Sequence, residues 1–149
     1  MTTHPIFTGV NVVVDDMDAA IAFYRLLGLD VDAVPGTWPP GSGGRHAAMS
    51  SSSDGARVEL DNTELARIWG HAGLAPGSPV IGFSVESRAA VDNTYGELVA
   101  AGHRGRLEPY DAFFGARYAI VDDPDGHAIG LMSPIDAARE FTPTAADRQ

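Results

Sequence analysis

Arg57, Glu59 and Asp61 alternate in the run Arg57-Val58-Glu59-Leu60-Asp61. Alternate residues of a strand share a face, so this spacing predicts a cation and two carboxylates in one row, with Val58 and Leu60 turned the other way. A carboxylate so placed has three open roles. It can pair with Arg57 or Arg117, which stabilises little when exposed. It can anchor an amine or guanidinium on a ligand, or act as a general base if its surroundings raise its pKa. The same alternation puts Gly9, Asn11 and Val13 on the inward face of another strand. It does likewise for Val80, Gly82 and Ser84, and for Ala128, Gly130 and Met132.

Aromatic residues supply the other candidate contacts. Trp38 lies in a loop, Pro35 to Gly44, that holds three prolines and four glycines. It is expected either to close over a ligand or to plug the loop. Phe113 and Phe114 are adjacent and cannot both enter one core from an extended segment, so one is expected to line a pocket or a dimer seam. Tyr110 and Tyr118 are candidate polar-tipped wall residues, and His46 could approach the site from elsewhere in the chain, whereas His127 alternates onto the covered or outer side. Trp69 is expected to pack the linker.

Several chemistries are excluded. The chain has no cysteine, and all its basic residues are arginine. Disulfides, thiolate sites, Schiff-base lysines and P-loop lysines therefore drop out. No G-x-S-x-G elbow is present, and the five histidines form no pair at zinc spacing. A formal charge of -10 opposes nucleic-acid binding and favours cationic or neutral ligands. No apolar run approaches a membrane span, and no signal-peptide pattern opens the chain, so the expected address is the cytoplasm.

The elements that must position these residues come in two sets. Thr8 to Val14 reads as a strand and Asp16 as an N-cap. Met17 to Leu27 follows as a helix stopped by Gly28, then strands at Leu29 to Val34, Ala47 to Ser51 and Arg57 to Asp61. Glu64 to Trp69 reads as one helical turn. The second set runs Val80 to Val85, a helix at Arg88 to Ala101 capped by Ser87 and stopped by Gly102, then strands near Arg104 to Glu108, Arg117 to Val121 and Ala128 to Met132. Val10, Val12 and Val14 match Ile81, Phe83 and Val85 at a separation of 71, as do Tyr24 and Tyr95, and Asp54-Gly55 and Asp125-Gly126. This is a duplicated βαβββ unit. Module one spans about 6-61, the linker about 70-79 and module two about 80-134. A polar tail, 136-149, is expected to fray.

Asp16-Met17-Asp18-Ala19-Ala20-Ile21-Ala22-Phe23-Tyr24-Arg25-Leu26-Leu27-Gly28, paired with Ala119-Ile120-Val121-Asp122-Asp123-Pro124-Asp125-Gly126, resembles the vicinal oxygen chelate superfamily of glyoxalase I, bleomycin-resistance proteins and extradiol dioxygenases. The resemblance implies an α+β fold: two tandem βαβββ modules forming a cupped mixed sheet with helices on the outer face, commonly paired as a homodimer. It also implies metal ligands at the positions of Gly9, Glu59, Val80 and Gly130. Of these only Glu59 has a donor, and one carboxylate does not usefully hold a divalent ion.

The expectation is therefore a single-domain, metal-independent protein with no cofactor. It would bind a small organic ligand, cationic or aromatic, and so sequester an antibiotic or other natural product. Its ligand-binding set is Asn11, Trp38, His46, Arg57, Glu59, Asp61, Ser84, Tyr110, Phe113, Phe114 and Met132, with Gly130 leaving room in the pocket. The alternative is a lyase, isomerase or epimerase using Glu59 as base or a relocated metal. A structural or regulatory dimer with a vestigial pocket is the third possibility.

Overall fold

A computed structural model describes residues 4–26, 29–50, 57–70, 77–122, 124 and 126–144. The chain divides into two compact units. One holds Gly9–Pro79 with the residues from Thr142 onward, and the other combines the chain up to Thr8 with Val80–Phe141.

In the first unit, β1 (Ile6–Val14) leads to α1 (Met17–Leu26), β2 (Asp30–Ala33), β3 (His46–Ser50), β4 (Arg57–Asn62) and α2 (Thr63–Gly70). The strand order is β2-β3-β4-β1. β4 runs parallel to β1, with Asn11 opposite Glu59 and Val13 opposite Asp61, and antiparallel to β3, with His46 opposite Asp61. Asp16 caps α1 by accepting Ala19 N–H at 3.0 Å. Met17 and Ile21 from α1 pack with Ala47, Met49 and Leu60, and Val12, Val14 and Val58 complete this core. Alternation thus works as expected: the valines and Leu60 cover the helix, and Asn11, Glu59 and Asp61 occupy the opposite face.

In the second unit, β5 (Pro79–Ser84), α3 (Arg88–Ala100), β6 (Gly105–Asp111), β7 (Arg117–Asp122) and β8 (Ala128–Met132) repeat the βαβββ order. The strand order is β5-β8-β7-β6, with β5 and β8 parallel. Ser87 caps α3 through Ala90 N–H, and Gly102 follows the helix at φ +99°, the left-handed stop that glycine takes at least strain. Val85, Val91, Ala119 and Leu131 form the core, with Phe83, Tyr95 and Leu98 against it. The α+β class and the mixed βαβββ arrangement of each unit are as the residues indicate.

Several boundaries move. β1 starts at Ile6, and its first residues belong to the second unit: Phe7 meets Phe83 edge-on at 5.9 Å, and Thr8 Oγ1 donates to Gly82 O at 3.1 Å. The turn expected at 64–69 is the full helix α2. Asn62 caps it by accepting Leu65 N–H, and Leu65, Ile68 and Trp69 are buried at helical spacing. β6 continues past Glu108 to Asp111 through a register shift around Pro109, which has no N–H to pair.

Phe113 and Phe114 sit in a turn and not an extended segment, closed by Gly115 N–H to Ala112 O at 3.0 Å. The tail from Asp136 does not simply fray. It forms a short 3-10 turn at Ala137–Arg139 and is tied back by Asp136 N–H to Gly115 O and Phe141 N–H to Phe113 O. The stop at Leu27-Gly28 and the turn around Ser53-Asp54-Gly55 lie outside the described residues, as do Asp123 and Asp125. No described helix is long and apolar enough to cross a membrane.

Candidate functional site

Asp61 is the centre of a polar cluster on the first unit. It is 3% exposed, and three donors converge on its carboxylate. His46 Nδ1 lies 2.6 Å from Oδ1, Trp69 Nε1 donates to Oδ2 at 2.7 Å, and Asn11 Nδ2 donates to Oδ2 at 2.9 Å. Four elements supply these groups: β1 brings Asn11, β3 His46, β4 Asp61 itself, and α2 carries Trp69 back beneath the strand it follows. A buried carboxylate is costly without such partners. Here it has them, and it accepts the Nδ1 proton of His46, leaving Nε2 as the ring nitrogen that Asp61 does not engage.

Glu59 sits two residues before Asp61 on the same face, diagonal to His46 across β3 and β4, a relation of about 7–8 Å between backbones. The two side chains perturb each other. Burial works against charge on His46. The Asp61 carboxylate bonded to it, with Glu59 and Asp32, overcomes this and holds the imidazole above its ordinary 6.5. Burial pushes the Glu59 carboxyl above its ordinary 4.5, Asp61 adds to that, and His46 and Arg57 pull against it. This pairs a carboxylate more basic than usual with an imidazole more readily protonated than usual, two groups suited to base and acid roles. Trp38 stands beside His46, the two rings 5.4 Å apart, and its loop is pinned by Trp38 N–H to Gly44 O at 2.7 Å.

Of the residues picked from sequence, Asn11, Trp38, His46, Glu59 and Asp61 come together here, and Arg57 lies exposed at the start of the same row. His46 opens β3, one residue before the expected strand start at Ala47, and lies opposite Asp61. The pairing proposed for Glu59 does not form: among the described residues no ion pair engages it, and Arg117 is held by Asp92 at 2.8 Å and Asp111 at 3.0 Å. Trp69 does not serve simply to pack the linker; it is a ligand of Asp61. The signal for it was present in the α2 pattern, where Asn62 caps and Leu65, Ile68 and Trp69 repeat at three and four.

The second unit gathers a different group. Tyr118 packs edge-on against Tyr110 at 6.4 Å and Phe114 at 6.2 Å, and lies opposite Met132, which in turn lies opposite Ser84. Phe113 is buried beside Phe114, the rings 5.3 Å apart. Burial raises the Tyr110 phenol well above its usual range. Gly130 does not leave open room: a Cβ there would lie 2.7 Å from the Tyr118 hydroxyl and 3.1 Å from Val80 Cγ1. The space left by the missing side chain belongs to Tyr118.

The metal positions implied by the resemblance do not fit an ion. Gly9, Val80 and Gly130 offer no side-chain donor. Gly9 also accepts no side chain, since a Cβ would fall 2.2 Å from the Arg57 carbonyl oxygen. Among the described residues no group of three or more His, Asp or Glu side chains is placed to hold a metal.

The sequence matches the Glyoxalase/Bleomycin resistance protein/Dioxygenase superfamily over residues 6–131. Among solved structures, methylmalonyl-CoA epimerase from Mycobacterium tuberculosis superposes with a TM-score of 0.61 at 20% identity, covering 93% of this chain and 95% of that one. NAD-dependent benzaldehyde dehydrogenase from Legionella pneumophila gives 0.63 at 22%, covering 83% and 96%. Streptomyces coelicolor methylmalonyl-CoA epimerase gives 0.56 at 19%, covering 90% and 100%. At these identities the likeness is one of fold. No match was found among curated proteins.

Proposed function

From the premise that this chain belongs to the Glyoxalase/Bleomycin resistance protein/Dioxygenase superfamily, we propose that it moves a proton on a small carbonyl compound, as an isomerase, epimerase or lyase does. The observation that carries this reading is the Asp61–His46 pair at 2.6 Å with Glu59 on the same face. Glu59 takes a proton from the carbon next to a carbonyl. The electron pair of the broken C–H bond moves into the carbonyl, and the developing enolate oxygen accepts a hydrogen bond from His46 Nε2–H. Asp61, accepting Nδ1–H, orients the ring and favours its protonated form, the form in which Nε2 also carries a proton to donate. In its protonated form the His46 ring supplies positive charge facing the oxyanion. The epimerases share only the fold; the case rests on this chain's own residues.

The direct test is solvent exchange. Proton NMR in deuterium oxide, over a panel of 2-substituted ketones, thioesters and acids, should find a compound whose α-hydrogen exchanges with the protein present. Glu59→Gln should slow that exchange by about 10²–10⁴-fold, the usual worth of a general base. Equal rates for the two proteins would remove Glu59 from the role.

One observation favours a second reading. Glu59 has no ion-pair partner among the described residues and stands in the row with Asp61, whose partner His46 has the Trp38 ring 5.4 Å from its own. A carboxylate and an indole in one cluster suit an aromatic cation, the arrangement of a sequestering site. Under that reading Glu59→Gln weakens a cationic ligand and leaves a neutral analogue unchanged, which calorimetry separates from loss of exchange.

A further inference from the structure

Two buried side-chain oxygens among the described residues accept no hydrogen bond, Asn11 Oδ1 and Thr63 Oγ1, and the first lies on the site. The Asn11 amide cannot be turned round. Its Nδ2 faces Asp61 Oδ2 at 2.9 Å, and that oxygen, already taking the Trp69 N–H, requires a donor. Oδ1 is therefore committed to a place where no donor reaches it, and a buried acceptor left so needs an explanation. On the neighbouring strand the residue opposite Asn11 is Glu59. As a carboxylate, Glu59 has nothing to donate. With a proton, it does.

We propose that Asn11 is a positioning residue for Glu59: once the carboxylate has taken a proton, its O–H donates to Asn11 Oδ1. This rests on the proton-transfer reading and deepens it. In the resting site Asn11 has one unmet acceptor. When the substrate C–H bond breaks and its proton arrives on Glu59, that acceptor is met, and the loaded base is held for return of the proton. The same amide joins Glu59 to Asp61 and His46, so base and acid share one frame. The charged groups facing Glu59 are His46 from β3, and Arg57 and Asp61 along β4. His46 and Arg57 favour the carboxylate, Asp61 the carboxyl. Asn11 is the uncharged neighbour whose effect depends on a hydrogen bond.

The test needs no substrate. In the wild-type protein, the side-chain carbonyl carbon of Asn11, followed by NMR through a pH titration, should shift with the midpoint of the Glu59 carboxyl carbon. In Glu59→Gln, whose amide N–H donates at every pH, the Asn11 signal should stay at its acid-side position. A flat wild-type Asn11 signal, or one that follows His46, overturns the proposal and points to ordinary solvation of Oδ1. Asn11→Leu should lower the proton affinity of Glu59 by about threefold or more, half a pKa unit. Trp69→Phe, which also takes a donor from Asp61, should leave it within about twofold. An unchanged or raised Glu59 midpoint in folded Asn11→Leu counts against the role; if that variant does not fold, the wild-type titration decides. Should the titrations behave as expected while no compound exchanges, the reaction assigned to the site fails and the Asn11–Glu59 contact stands.

Discussion

His46 Nδ1 and Asp61 Oδ1 lie 2.6 Å apart, with 18% of the His46 side chain exposed and 4% of the Asp61 side chain. The imidazolium is thus bound more tightly in the folded chain than in the unfolded one. A group whose folded pKa is raised stabilises the fold fully below its unfolded value and loses that contribution as pH rises through the folded value. For His46 the loss begins at about 6.5 and continues upward. The melting temperature should fall over that range. Asp61→Asn should flatten the His46 part of the decline and return the imidazole toward its ordinary pKa, read by the ring-proton shifts of His46. A steep decline that survives in Asp61→Asn would show that another group controls it.

Trp69 links helix and site through one hydrogen bond. Trp69→Phe keeps most of the buried ring and removes the Nε1–H that Asp61 accepts at 2.7 Å. Loss of a hydrogen bond to a charged partner is worth about 1.5–3 kcal/mol. Denaturant unfolding should show that loss as a lower midpoint with an unchanged slope. A packing residue with no polar role would lose well under 1.5 kcal/mol, roughly what volume-conserving swaps cost.

Much of this arrangement can be read in the chain because strand alternation is local. Val58 and Leu60 had to share one face and Glu59 and Asp61 the other, whatever the fold around them. β8 was legible to the residue, since Gly126 and a short apolar run bound it. What local pattern could not supply is register between distant segments. Asn11 and Asp61 are 50 positions apart and meet because β1 and β4 run parallel, a pairing fixed by the helix and strands between them. His46 was misplaced for a related reason: the glycines before it mask the start of β3, whose strand character comes from pairing with β4. Gly130 shows the same limit. A missing side chain looks like space until its neighbours are known, and here the neighbour is Tyr118.

Two glycines should respond in opposite directions to alanine. Gly9→Ala places a Cβ 2.2 Å from a backbone oxygen of the paired strand, an overlap only separation of β1 from β4 can relieve. The loss should exceed the roughly 1–3 kcal/mol of ordinary overpacking. Gly96, inside α3, has nothing within 4 Å of its Cβ position. Gly96→Ala should stabilise by about 0.5–1 kcal/mol, the helix preference of alanine over glycine. Thermal unfolding of both variants checks the pair, and a tolerated Gly9→Ala would contradict the close approach of the two strands.

Gly130 leaves the space that the hydroxyl and ring edge of Tyr118 occupy. A Cβ at position 130 meets the Tyr118 hydroxyl at 2.7 Å, Val80 Cγ1 at 3.1 Å and Tyr118 Cε2 at 3.3 Å. Gly130→Ala alone must therefore move a tyrosine confined between Tyr110 and Phe114, and overpacking of this kind costs about 1–3 kcal/mol. Tyr118→Phe removes the nearest atom and leaves the other two contacts, which lie in the range a small shift can absorb. The double variant should be more stable than the sum of the two single changes predicts, with a coupling of about 0.5–3 kcal/mol. Strict additivity would mean that the backbone at Gly130, and not the Tyr118 hydroxyl, sets the requirement for glycine there.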